Sequence, residues 1–217
     1  MRLIHDVDKI RDLSPLLLDA NGNLKVVPAS VYEQTTTLER YVFGHKNAVY
    51  NFPTTELIEH LREIIGDRSA IEIGAGNGVM AKALGIPATD SRQQERPEII
   101  AHYELLRQPV IRYGDNVEKL DAHDAIRKYR PQVVVATWVT QKFDPSKPEL
   151  GGNVDGVVEE WVIQNVQEYL FIGNLKTHAT KTIWSLPHTK QALPFLYSRS
   201  MTETPNFIAR FFGPGAQ

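Results

Sequence analysis

Apolar and polar positions along this chain alternate between a helical period and short buried runs. Leu57, Ile58, Leu61, Ile64 and Ile65 recur at i, i+1, i+4, i+7 and i+8, the stripe of an amphipathic helix. Pro53 and Glu56 mark its front near Thr54 or Thr55, and Gly66 can end it. Ala70–Ile73 then reads as a strand and Val79–Leu84 as a helix closed by Gly85-Ile86-Pro87. Ala88-Thr89-Asp90 is the tip of a second strand, and residues 97–106 form a helix with Ile99, Ile100, Tyr103 and Leu106 as its apolar positions. Residues 117–121 are a short third strand, Ala122–Tyr129 a helix closed by Arg130-Pro131, and 132–138 a fourth strand. Its Val133-Val134-Val135 run is continuous enough to be buried on both faces. After a polar segment, 141–156, come a helix over 157–165 and a strand over 168–173. The tail offers Thr182-Ile183-Trp184-Ser185, a proline-bounded helix near 191–196 and a last strand over Asn206–Phe212.

Strands alternating with helices predict an α/β fold with a doubly wound, mostly parallel sheet and helices on both faces. The terminal segments are expected to add an antiparallel hairpin at one edge. No internal repeat or low-complexity linker divides the chain, so residues 1–217 are read as one domain. Residues 1–50 form an irregular lead-in, an extension or lid with one or two short elements, and 51–217 form the core. Within the lead-in, Asn21-Gly22-Asn23 is a turn between Leu16-Leu17-Leu18 and Leu24-Lys25-Val26-Val27. Tyr41, Phe43 and Tyr50 are read as core or lid residues.

The densest chemical information lies at Ile71-Glu72-Ile73-Gly74-Ala75-Gly76-Asn77-Gly78. Alternating glycines let the backbone turn tightly and approach a ligand where a Cβ would clash. The following helix is expected to point free N–H groups at whatever occupies the turn. A dinucleotide fold needs Gly-x-Gly-x-x-Gly for close helix–strand packing, and Val79 stands where that third glycine belongs. A phosphate-binding Gly-Lys-Ser/Thr loop is absent. Glu72 would repel a pyrophosphate but suits a ligand that carries an ammonium and a sulfonium.

Composition narrows the partners. Twenty-four Lys and Arg against 26 Asp and Glu leave a net charge of −2, without the basic excess that favours a nucleic-acid partner. The chain has no cysteine, which removes disulfides and thiolate metal sites, and no metal site is expected. Polar residues His5, Asp6, Asp8 and Lys9 break up the first ten positions, unlike a signal peptide. No apolar run approaches the ~20 residues of a membrane helix. A cytoplasmic protein without membrane contact is therefore expected.

The glycine motif with its preceding acid resembles the first motif of class I S-adenosylmethionine-dependent methyltransferases, and the order of elements agrees from about residue 50 to 175. The resemblance implies a Rossmann-like sheet, S-adenosyl-L-methionine as cofactor and methyl transfer as the activity. It implies a cradle of Glu72, Gly74, Ala75, Gly76 and Gly78. Asp90, at the end of the second strand, matches the acid that binds the ribose hydroxyls, and Asp121-Ala122 resembles the pair at the adenine edge. Trp138 and Thr140, at the end of the fourth strand, fall where the family meets its acceptor. Each has a plainer reading: Asp90 and Asp121 as helix caps, with Asp124 a rival to Asp121, and Trp138 as a packed strand-end residue.

The acceptor is less constrained. Methyltransferases of base amino groups resemble one another in an Asn/Asp-Pro-Pro-aromatic motif after the fourth strand. Here that place holds Ala136-Thr137-Trp138-Val139-Thr140, without the prolines. A small-molecule or protein acceptor is expected over a nucleic-acid base. Segment 141–156 either faces substrate or is a surface excursion. Candidate general bases near strand ends are Glu159, Glu160, Asp155 and His123, with His178 and His188 after the fifth strand; none is singled out. Two other readings stay open: a catalytically silent binding or scaffold relative, whose acceptor pocket would be obstructed, and a nicotinamide-dependent oxidoreductase, which Val79 opposes.

Overall fold

A computed structural model describes residues 9–214. The reading of the first ten positions as no signal peptide therefore falls almost wholly outside the described residues. In chain order the elements are α1 (Ser14–Leu17), α2 (Ala29–Glu33), α3 (Thr37–Lys46), β1 (Asn51–Phe52), α4 (Thr55–Ile65), β2 (Ala70–Ile73), α5 (Val79–Leu84), β3 (Ala88–Asp90) and α6 (Pro97–Leu105). They continue with β4 (Val117–Lys119), α7 (Ala122–Tyr129), β5 (Val133–Thr137), α8 (Glu159–Gln164), β6 (Glu168–Asn174), β7 (His188–Gln191), β8 (Tyr197–Ser198) and β9 (Asn206–Phe212).

Seven strands form one sheet in the order β4-β3-β2-β5-β6-β9-β7. The first five run parallel, while β9 pairs antiparallel with β6 and β7 with β9. This is the expected doubly wound α/β sheet with an antiparallel C-terminal edge. Strand alternation assigns its two faces. Ile71, Ile73, Val134, Ala136, Tyr169 and Phe171 pack with Ala125, Ile126, Val162 and Ile163 of α7 and α8. Ala70, Val133, Val135, Leu170 and Ile172 pack with Leu57, Leu61 and Met80 of α4 and α5 on the other side. Fully burying each such side chain contributes ~1.5–3 kcal/mol. The order places a switch point between β2 and β5, where connections depart to opposite sides and leave a crevice at the strands' C-terminal ends.

Helix α4 starts where Thr54 Oγ1 accepts from Leu57 N at 3.1 Å and ends at Gly66, φ +58°. The same Thr54 hydroxyl donates to Phe195 O at 3.0 Å, tying the start of α4 to the tail.

Several boundaries differ from the expectation. The lead-in is more ordered than its irregular pattern suggests. Among its described residues are the helices α1, α2 and α3, and Thr36 and Glu39 form a reciprocal capping box at the start of α3. Its own core of Leu13, Leu17, Tyr32, Phe43 and Val49 closes around Phe52, so Phe43 is core whereas Tyr50 lines the cavity described below. The helix expected near 191–196 is not formed. His188–Gln191 is instead an edge strand on β9, and Leu193–Leu196 closes in a turn. Pro187 and Pro194 bracket this stretch, and an edge strand tolerates proline better than a helix interior does. The third strand stops at Lys119, because Asp121 has already become the cap of α7. Helix α8 begins only at Glu159, since Val157 is held by a bridge to Gln141. None of the residues of α6 is buried, although its pattern reads as apolar.

Candidate functional site

The C-terminal ends of β2, β3, β4 and β5 open into one cavity of about 630 Å³. Nine of the ten residues anticipated for cofactor or acceptor line it: Glu72, Gly74, Ala75, Gly76, Asp90, Asp121, Ala122, Trp138 and Thr140. Gly78 does not. It is the N-cap of α5 at φ +69°, and a Cβ there would stand 2.5 Å from Val117 Cγ2, so its small size serves packing. Gly76 differs. At φ +53°, its Cβ would meet only Ile111, at 3.6 Å, and would otherwise enter the cavity. Gly76 is thus the position where the backbone itself faces the empty volume.

Two N–H groups in the first turn of α5 are taken up within the protein, so fewer are left for a ligand than the sequence suggests. Glu72 Oε2 accepts from Ala81 N at 2.9 Å and Asn77 Oδ1 accepts from Val79 N at 3.2 Å. Because Gly78 has no side chain to cap with, the acid on the neighbouring strand takes over that work. Glu72 is 3% exposed. Burial pushes its carboxyl up to about 8, against the hydrogen bond from Ala81, and nearby Asp90 raises it further.

Asp90 joins the turn to β3. Its Oδ2 accepts from Gly76 N at 3.0 Å and its Oδ1 from Arg92 N at 2.8 Å. Burial raises its pKa, while these two hydrogen bonds hold it down in part. Arg92 is itself anchored through Val117 O at 2.7 Å and over the Tyr113 ring. Asp121 does cap α7, accepting from Asp124 N at 2.9 Å, and it also lines the cavity. Capping and a place on the cavity wall coexist here.

On the far side, Trp138 leaves β5 with φ +58°, an uncommon backbone for a bulky residue. Its ring lies 6.3 Å from Tyr50 and edge-on to His178 at 4.9 Å. Burial holds the His178 imidazole down at about 4, with Lys181 adding to the effect. His178 Nδ1 accepts from Asn174 N at 2.9 Å. The segment 141–156 is doubled back on itself through Lys142 N to Val157 O (2.8 Å) and Phe143 N to Asn153 O (2.9 Å). Asn153, Asp155 and Gly156 bring it to the cavity wall.

The general-base candidates are mostly committed elsewhere. Asp155, on the cavity wall, is paired with Arg96. Glu159 is buried with Lys181 and accepts from Tyr169 OH at 2.7 Å, and Glu160 accepts from Thr182. His188 stacks on Phe211 at 5.1 Å. His123 lines the cavity and its ring packs tilted against Trp161, with centroids 4.1 Å apart. Sequence reasoning missed Asn51 and the cavity-facing role of Tyr103. Tyr103 was hidden by an apolar helical pattern; Asn51 had one cue, a polar residue between two aromatics just before a helix cap.

No protein-family model matches the chain, and no curated protein matches it. Solved structures align with its fold at low similarity. One is a provisionally assigned methyltransferase in complex with SAH, at 12% identity and TM-score 0.36, covering 69% of this chain and 47% of that one. An rRNA methylase from Streptococcus thermophilus aligns at 14% identity and TM-score 0.39, over 71% of this chain and 93% of that one. A precorrin-6y C5,15-methyltransferase from Geobacter metallireducens aligns at 14% and 0.37, over 74% and 89%. The chain thus spans about half the length of the first of these structures.

Proposed function

We propose that this chain is an S-adenosylmethionine-dependent methyltransferase. The observation that carries the reading is Gly76. Its backbone faces the cavity with room for a ligand and none lost to packing, between Glu72 and Asp90, at the switch point of the sheet. In this reading Asp90 holds the ribose hydroxyls with the lone pairs left free by Gly76 and Arg92. Asp121 and Ala122 lie along the adenine, and Glu72 faces the cationic portion. Bound there, S-adenosylmethionine supplies an electrophilic methyl group. The protein's share is alignment and exclusion of water, which orientation alone makes worth several kcal/mol. Trp138, Tyr50, Tyr103 and Thr140 wall the acceptor side. No general base is assigned, since Asp155 and Glu159 are held in ion pairs.

Four aspartates line the cavity (Asp90, Asp121, Asp124 and Asp155), with Glu72 as a fifth acid held protonated by burial, against two lysines, Lys119 and Lys142. That balance disfavours a polyanion and supports a small-molecule or protein acceptor. The open cavity also speaks against a silent relative, whose Trp138 or lead-in aromatics would fill it. A labelled methyl group offered with separated small-molecule, protein and RNA pools tests this. Label in either of the first two supports the reading, label in RNA alone overturns the acceptor class, and no label anywhere overturns the activity.

A further inference from the structure

Asn51 is the polar residue of the cavity wall with no structural explanation. It lies in the two-residue strand β1, 9% exposed, and both ends of its carboxamide are buried without a hydrogen-bond partner. Trp138, on the same cavity, also has its indole Nε1 buried without a partner, on a backbone at φ +58°. Orphaned buried donors and acceptors are destabilising and call for an explanation; among the described residues with such side-chain atoms, Asn51 and Trp138 are the two that line the cavity. Backbone outliers gather at the same kind of place.

Position says which part of a ligand would use them. Along the strand ends, in the order β4, β3, β2, β5, stand Asp121, Asp90, Gly74 and Trp138. With adenine at Asp121 and ribose at Asp90, the remaining portion of the cofactor crosses Gly74 towards Trp138. Asn51 stands at that end, since the ring of its neighbour Tyr50 lies 6.3 Å from Trp138. That portion carries an α-carboxylate, which accepts, and an α-ammonium, which donates. A carboxamide offers the matching donor and acceptor.

We propose that Asn51 holds the amino-acid end of the cofactor, with the Trp138 indole N–H as a second donor. This rests on the cofactor reading above. The carboxamide is shut off from water in the free protein, so engaging it requires a rotation of the Asn51 side chain.

The test is calorimetric titration of wild type, Asn51→Ala and Asn51→Asp with S-adenosylhomocysteine and with 5′-methylthioadenosine. The second ligand keeps adenosine and sulfur but lacks the amino-acid end. Asn51→Ala should weaken S-adenosylhomocysteine by ~10-fold or more, and Asn51→Asp further, by repelling the carboxylate. Both should leave 5′-methylthioadenosine unchanged. In the free protein Asn51→Leu should melt no lower than wild type, because no hydrogen bond is lost. Equal losses for both ligands, unchanged S-adenosylhomocysteine affinity, or a clear drop in melting temperature for Asn51→Leu would overturn the assignment. A wild type that binds neither ligand overturns the cofactor reading, and this one with it. Binding by wild type with indifferent variants overturns the Asn51 assignment alone.

Discussion

Asp90 Oδ2 accepts a hydrogen bond from the backbone N–H of Gly76 at 3.0 Å, so the acid ending β3 fixes the glycine turn leaving β2. The same carboxylate that is proposed to hold the ribose therefore also shapes the floor beneath it. Asp90→Ala should weaken cofactor binding by ~1–3 kcal/mol through loss of charge-assisted hydrogen bonds. Asp90→Asn, which can still accept from Gly76, should lose less. Equal affinities for wild type and both variants, read by calorimetry, would move the ribose contact elsewhere.

Gly76→Val should abolish cofactor binding while the protein stays folded. The added Cβ meets only Ile111 at ordinary contact distance, so the cost to folding is mainly that of a branched residue at φ +53°, ~1–3 kcal/mol. Gly78→Val should behave in the opposite way. Its Cβ collides with Val117, so stability suffers first. Thermal melting and ligand titration on the pair separate a position that faces the cavity from one that packs.

Glu72 gives the site a pH dependence. Its folded carboxyl sits near 8, above the ordinary 4.5, so between those values the folded state holds a proton that the unfolded state has lost. Stability from this group therefore falls as pH rises from about 5 to 8. Cofactor affinity should move the other way, because an ionised Glu72 attracts the cationic portion. Glu72→Gln, which still accepts from Ala81, should flatten both trends. The ligand's own amine titrates alike with either protein, so the difference between their profiles isolates Glu72. Parallel profiles would exclude it from contact with the cation.

His178 should make the fold acid-sensitive. Its pKa is depressed from 6.5 to about 4 by burial and by nearby Lys181, against the backbone contact with Asn174. The unfolded state takes up the proton first as pH falls. Stability is thus fully present above about 6.5 and lost towards pH 4, on the order of 3 kcal/mol in all. Urea midpoints at pH 7 and 4.5 should converge in His178→Phe relative to wild type. An equal loss in both proteins would place the sensitivity in another group.

How much of this was legible beforehand follows the range of the interactions. The α4 stripe, the Val133–Val135 run and the glycine turn are local, and the sheet built on them matches expectation. No helix forms over 191–196 because the chain there leaves β7 (His188–Gln191), a strand that exists only through pairing with β9 farther along the chain. The lead-in helices likewise depend on Tyr32 and Phe43 meeting Phe52. At the site, residue types carried Glu72, Gly76 and Asp90. They could not show that Glu72 caps α5, that Gly78 packs on Val117, or that Asn51 is left unpartnered. Those are tertiary facts about backbone N–H groups and side chains far apart in sequence.

Arg96 and Asp155 tie the loop after β3 to the segment 141–156. Both are partly exposed, at 42% and 27%, so Arg96→Ala should cost at most ~1 kcal/mol of stability. Amide hydrogen exchange over 141–156 should nonetheless quicken in the variant. Unchanged exchange would show that the segment's own hydrogen bonds hold it.

The most direct test of the cofactor reading is calorimetric titration of the purified protein with S-adenosylmethionine, S-adenosylhomocysteine and NADH. Micromolar binding of the first two and none of the third is the expected result. Binding of NADH instead, or of none of the three, would contradict it.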